Sequence, residues 1–152
     1  MSKTFSLQPL VNLAHQRNEA ATKKLGLLNQ QQQAAQNKLE TLLQYRKDYQ
    51  SRFEQAARNG LDQTGLRNFQ DFINRLDEAI QQQRTAMEKA LQSVQHGRNE
   101  LQDTQRKMKS FDALQQRHID TQKRHEAKSE QRLHDEYTGR FAAYKGDKHH
   151  ET

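Results

Sequence analysis

Cysteine is missing from all 152 residues, which excludes a disulfide framework and thiol chemistry and fits a reducing compartment. Proline occurs once, at Pro9, where a helix can begin because the first helical position has no intrahelical amide partner to lose. Long helices are therefore allowed. Apolar residues are scarce as well: 32% of the chain is hydrophobic and the mean hydropathy is -1.27. Such a composition cannot enclose an ordinary globular core and would suit a disordered chain unless its few apolar residues recur at one spacing. No apolar run approaches membrane-spanning length, and the N-terminus carries no signal-peptide hydrophobic region, so a soluble cytoplasmic protein is expected.

The spacing is what the chain does have. Val11, Ala14, Ala21, Leu25, Leu28, Ala35, Leu39, Leu42, Tyr49, Phe53 and Ala56 fall on alternating steps of three and four, the a and d positions of a coiled coil. A second track runs Leu66, Phe69, Ile73, Leu76, Ile80, Met87, Ala90, Val94, Leu101, Met108, Phe111. A glycine-containing gap separates the two, and the phase slips by one residue across it. One unbroken helix is therefore excluded as the simple reading. The chain is expected to be all-α: a long antiparallel two-helix coiled-coil hairpin with a C-terminal helical overhang.

Folding the chain back about residue 61 brings every a of one helix opposite a d of the other, as an antiparallel coiled coil requires. The layers so formed include Ala56 with Leu66, Phe53 with Phe69, Tyr49 with Ile73, Leu42 with Ile80, Leu28 with Val94, Leu25 with Gly97 and Val11 with Phe111. Small residues mostly meet larger ones. The polar interruption at Asn18 lands opposite Thr104, where two hydrogen-bonding groups can satisfy each other. Gln32 and Arg46 break the track at two-heptad intervals, and Arg46 can lay its stem in the seam with its guanidinium in water.

Boundaries follow. Residues 1–8 form an N-terminal extension, 9–57 helix one, 58–65 a turn and 66–140 helix two, with residues 141–152 a tail. In the turn, Gly60 and Gly65 supply left-handed backbone, and Asp62 or Thr64 supplies an N-cap. At 1.5 Å per residue the paired part is on the order of 70 Å long. Pairing runs out near residue 115, and from about 116 the second helix overhangs. Its seam decays to Gln115, His118, Gln122 and His125, then resumes as a loose apolar stripe at Leu133, Tyr137, Phe141 and Tyr144. The polar segment Lys145–Thr152 is expected to be disordered. The glutamine runs Gln30–Gln33 and Gln81–Gln83 sit inside the heptads and read as solvated helix faces.

No catalytic constellation is present. His118 and His125 share a helix face but stand two turns apart, and zinc sites on helices use closer spacing with carboxylate or Cys ligands. There is no glycine-rich phosphate loop, no serine placed with a base and an acid, and a two-helix seam offers no ordinary ligand pocket. Neither an enzyme nor a cofactor or metal is expected. A net charge of +6 and a pI near 9.7 raise nucleic-acid binding, but no aromatic stacking platform or groove-reading element accompanies the charge. Docking onto an acidic protein surface requires less. The densest basic stretch is Arg106, Lys107, Lys109, Arg117, Lys123, Arg124, Lys128 and Arg132.

Two aromatics stand beside the seam: Tyr45 precedes the a position Arg46, and Phe72 precedes the a position Ile73. Both occupy flanking g positions toward the turn. They read either as a partner surface or as a widening of the seam they border.

The block Leu39-Glu-Thr-Leu-Leu-Gln-Tyr45-Arg-Lys-Asp-Tyr49, followed by the turn and then Phe69-Gln-Asp-Phe72-Ile-Asn-Arg-Leu76-Asp-Glu-Ala79-Ile80, resembles the FliJ family of flagellar type III export proteins. The resemblance spans nearly the whole chain, although the heptads themselves are generic. It implies an antiparallel coiled coil similar to the central stalk of rotary ATPases, non-enzymatic and cytoplasmic, peripheral at the inner-membrane flagellar basal body. Implied partners are the hexameric export ATPase, the cytoplasmic domain of the export gate and escort chaperones, with no nucleic acid and no membrane insertion. The family's gate-binding surface maps onto Leu42, Tyr45, Tyr49, Phe72, Leu76 and Ala79, where Leu42, Tyr49 and Leu76 can instead act by holding Tyr45 and Phe72. By analogy with rotary stalks, the terminal half enters the ATPase ring, with Arg106 to Arg132 facing acidic ring loops. Two other readings stand beside this one: a coiled-coil tether in another assembly, and a nucleic-acid-associated coiled coil.

Overall fold

The computed structural model describes residues 6–150, with side chains described for residues 6–145. Two helices account for almost all of it: α1, Gln8–Arg58, and α2, Gln63–His150. They pack against each other as an antiparallel hairpin, and no strand occurs among the described residues.

Why such polar sequences stay helical is visible in the hydrogen bonds. Among the described residues, eight glutamine side chains donate to an Asn, Asp or Glu one turn on, including Gln33 to Asn37 at 3.0 Å, Gln44 to Asp48 at 3.0 Å and Gln131 to Asp135 at 3.2 Å. Pairs at this spacing stabilise a helix by about 0.2–0.5 kcal/mol each. The glutamine content is thus a source of local helix stability.

Between the helices, Asn59 and Gly60 close α1 with backbone bonds to the carbonyls of Gln55, Ala56 and Ala57. Gly60 has φ +91°, the left-handed conformation that ends a helix and that glycine adopts without a Cβ penalty. Asp62 then caps α2: its Oδ1 accepts from the Gly65 amide at 2.8 Å, and its carbonyl accepts from Leu66 at 3.1 Å. Gly65, expected to be left-handed, is instead helical in the first turn of α2. A Cβ there would meet Leu61 Cγ at 3.1 Å, so Leu61 packs where a side chain at 65 would stand. This displaces the outermost layer expected for the seam. Leu66, expected opposite Ala56, is 51% exposed.

Two compact units form along the helices, one from Gln16–Gln105 and the other from the residues up to His15 together with those from Arg106. In the first, the seam is lined on α2 by Ile73, Leu76, Ile80 and Val94, all buried, and on α1 by Ala21, buried, with Leu25, Leu28, Leu39 and Leu42 half-buried. Phe53 stacks on Phe69, with ring centroids 3.6 Å apart. Asn18 and Thr104 meet through a 3.3 Å hydrogen bond. Gly97 lies against Leu25 and Leu28, and a Cβ built on it would come within 2.9 Å of Leu28 Cδ1.

Two details of this unit differ from the sequence expectation. Gln83 is not a solvated face: it is buried, three residues after Ile80 and therefore on the d track, and its Nε2 donates to the Ala35 carbonyl at 3.0 Å. Arg46 does keep its stem in the seam, but its Nε donates to Asp77 Oδ1 of α2 at 2.6 Å rather than to water alone.

In the second unit, Val11 and Ala14 are buried, Met108 and Phe111 are half-buried, and polar links join the helices at Gln8–Gln115, 2.6 Å, and His15–Asp112, 2.9 Å. α1 begins at Gln8, so α2 has no α1 residue opposite it beyond this point, and from Lys123 to Lys145 every residue is exposed. The helix nevertheless continues past residue 140 and through the segment expected to be disordered, as far as His150. No proline interrupts it, and Gly139 is accommodated within it. Glu151 and Thr152 of that expected tail, and residues 1–5 of the N-terminal extension, lie outside the described residues.

Candidate functional site

The aromatic residues of the unit Gln16–Gln105 form a continuous series. Phe53 stacks on Phe69; Phe69 lies parallel to Tyr49 at 5.1 Å; Tyr49 meets Phe72 at 4.2 Å; and Phe72 meets Tyr45 edge-on at 6.0 Å. The series starts in the seam and climbs out of it on one flank, because 53, 69 and 49 are a and d positions whereas 72 and 45 are both g. Antiparallel helices bring g against g, which is why these two rings meet. Each such ring pair contributes about 0.5–1.5 kcal/mol beyond burial, so the outer rings are braced from beneath.

Burial sorts the six expected gate-binding residues. Leu76 is 7% exposed and belongs to the core; Leu42, Tyr49, Phe72 and Ala79 are half-buried; Tyr45 is 50% exposed. The accessible part is therefore the g flank, made by Tyr45, the outer edge of Phe72 and Ala79. Leu76 lies beneath this flank as support. Tyr45 is a partly exposed ring held in place, and Phe72 both borders the seam and covers Tyr49. Phe72 thus widens the seam, while Tyr45 leaves half of its surface open.

On the opposite, e flank the Arg46–Asp77 pair borders the same stretch. Asp77 holds the Arg46 guanidinium above its already high ordinary pKa, first through the hydrogen bond and then through its charge, with desolvation opposing. The pair is exposed and links the helices opposite the aromatic flank.

The basic residues Arg106, Lys107, Lys109, Arg117, Lys123, Arg124, Lys128 and Arg132 are all exposed, and all lie on α2 in the second unit. No ion pair among the described residues holds any of them. At about 100° per residue they occupy roughly a 200° arc of the helix. The remaining arc carries Phe111, Gln115, His118 and Gln122, and further along Leu133, Tyr137 and Phe141, which are 67%, 73% and 52% exposed. The far part of α2 thus has a basic back, and its other arc sets Leu133, Tyr137 and Phe141 among Glu126, Glu130, Glu136 and Arg140. Sequence reading found both sets; their continuity along one helix needs α2 to run unbroken through residue 139.

Gln83 was missed as a seam residue because it ends a glutamine run. The signal was there: the d track passes through 83 between Ile80 and Met87. Among the described residues no group of three His, Cys, Asp or Glu is close enough to hold a metal ion, and no helix is long and apolar enough to cross a membrane.

A family model described as the flagellar FliJ protein matches residues 2–146. No curated protein matches the chain.

Proposed function

The chain belongs to the FliJ family and is associated with flagellar protein export, and from that premise we propose that it is a non-enzymatic, cytoplasmic stalk and adaptor linking the hexameric export ATPase to the export gate. The observation that carries this reading is the polarity of the two surfaces. One unit displays a braced aromatic flank; the other displays a basic arc of α2 with the exposed Leu133, Tyr137 and Phe141 beside it.

In this reading Tyr45, Phe72 and Ala79 touch the cytoplasmic domain of the gate, while Leu42, Tyr49 and Leu76 hold them. Exposed aromatics on a rigid support make efficient contact residues because little side-chain freedom is lost on binding. Arg106, Lys107, Lys109, Arg117, Lys123, Arg124, Lys128 and Arg132 meet acidic loops of the ATPase ring, and Leu133, Tyr137 and Phe141 fill apolar space within it. An asymmetric two-helix element inside a ring contacts its subunits unequally and so biases their conformations without a catalytic group of its own. The protein sits peripherally at the flagellar basal body and meets the escort chaperones of export substrates there.

The test for the gate surface is binding of the gate's cytoplasmic domain to the full chain and to Tyr45→Ala, Phe72→Ala and the double variant. The double variant is expected to weaken binding about tenfold or more, on the order of 1.4 kcal/mol or above, with helicity retained. Unchanged affinity would remove the aromatic flank from the interface.

A further inference from the structure

The two flanks of the hairpin in the unit Gln16–Gln105 differ in charge in a way that the gate surface does not use. Between Ala20 and Thr41 on α1 and between Ala79 and His96 on α2 there are two acidic residues, Glu40 and Glu88. Both occupy b positions and therefore lie toward the e flank. The g flank of the same stretch carries Lys24, Lys38 and Lys89 and no carboxylate. It is bounded by carboxylates only at its ends: Glu100, which takes Lys24 Nζ at 3.0 Å, and Asp48, just past Tyr45.

One end of the same flank is concave and partly apolar. A cleft of about 470 Å³ lies on it, lined by Lys24, Leu28, Lys89, Gln92, Ser93 and His96. Next to it Leu27 is 60% exposed. Lys24 and Lys38 are fourteen residues apart on α1, or about 21 Å, and Ala20 to Thr41 spans roughly 32 Å of helix. That is the length of a partner helix of about twenty residues.

We infer that this flank is a docking groove for an acidic amphipathic helix of a partner protein. The occupant's apolar stripe lies over Leu27 and Leu28, and its carboxylates reach Lys38 and Lys89, with Lys24 shared between the occupant and Glu100. A basic or neutral helix is disfavoured because the lysines have no acid on this flank to offset them over the central stretch. The opposite flank carries Glu40 and Glu88 with Arg84, and its Asp77 is paired with Arg46, so it offers an acidic helix no excess of positive charge. This goes beyond the stalk reading and stands without it, since neither the gate residues nor the basic back of α2 takes part.

The test uses the full chain, ¹⁵N-labelled, and two designed helical peptides of three heptads with the same leucine and alanine stripe, one flanked by glutamates and the other by lysines. The glutamate peptide is expected to bind, with shifts centred on Leu27, Ala34, Ala86 and Lys89, and to weaken as salt rises. Lys38→Glu with Lys89→Glu should weaken it about tenfold or more, with the melting temperature and helicity of the protein unchanged. A reversal that leaves Glu40→Lys with Glu88→Lys binding like the parent completes the pattern. Equal binding of the lysine peptide, indifference to the Lys38/Lys89 reversal, or shifts centred on Leu43 and Leu91 of the other flank would each overturn the inference.

Discussion

Gln83→Leu is expected to stabilise the protein, and the size of the effect follows from what Gln83 does in the seam. Its amide donates to the Ala35 carbonyl at 3.0 Å. That carbonyl lies in the interior of α1, where it already accepts the helical bond from the residue one turn on. Removing the side-chain donor therefore strands no acceptor. The lost hydrogen bond costs about 0.5–1.5 kcal/mol net. That net value already contains the amide's desolvation, and against it stands burial of the leucine side chain at the layer with Leu39, about 1.5–3 kcal/mol. The balance is a gain of about 1 kcal/mol, or roughly 2–4 °C in Tm for a chain of this size. Gln83→Ala removes the bond without filling the space and should lose about 1 kcal/mol. Urea unfolding followed by helical circular dichroism reads both. If Gln83→Leu is as destabilising as Gln83→Ala, the hydrogen bond outweighs packing and this reasoning is wrong.

Other perturbations test other links in the account. Gly97→Ala should stabilise by about 0.5 kcal/mol in the same unfolding assay, because the roughly 1 kcal/mol gain in helix propensity exceeds the cost of rotating the terminal Leu28 methyl that the new Cβ meets at 2.9 Å. Gly60→Ala should cost about 1–2 kcal/mol, since its φ of +91° penalises a Cβ; an unchanged Tm would mean that the turn relaxes into another conformation. Asp62→Ala should cost about 1 kcal/mol through loss of the α2 cap, with hydrogen exchange accelerating in the first turn of α2 before it does elsewhere. Leu28→Asp places an unpaired carboxylate in the seam near Gly97 and should abolish the cooperative transition seen by calorimetry.

The pairing of the two helices was legible because an antiparallel seam is over-determined. Asn18 facing Thr104, Phe53 facing Phe69 and Gly97 facing Leu25 each report one register, and they agree. What escaped were places where one residue had two plausible environments. Gln83 belongs to both a glutamine run and the d track, and composition concealed its position. Leu66 continues the apolar track, but the choice between Gly60 and Gly65 as the left-handed residue decides where α2 starts, and Leu61 rather than Leu66 then packs at the turn. The helix beyond residue 140 escaped for a different reason: its polar composition resembles a tail, while the absence of proline and the one-turn pairing seen at Gln131 and Asp135 lets the helix persist. For the aromatic flank, sequence placed Tyr45 and Phe72 beside the seam. Only the ring geometry shows that Phe72 joins Tyr45 to Tyr49, and only burial shows that Leu76 lies beneath the surface.

The most direct test of the stalk reading is the ATP hydrolysis rate of the flagellar export ATPase from the same organism, measured with increasing amounts of this protein under conditions where the ring assembles. The account predicts stimulation that saturates near one chain per hexamer and is lost when Arg117, Lys123, Arg124 and Lys128 are reversed to Glu. An assembled ring whose rate is indifferent to the protein at every ratio would contradict it.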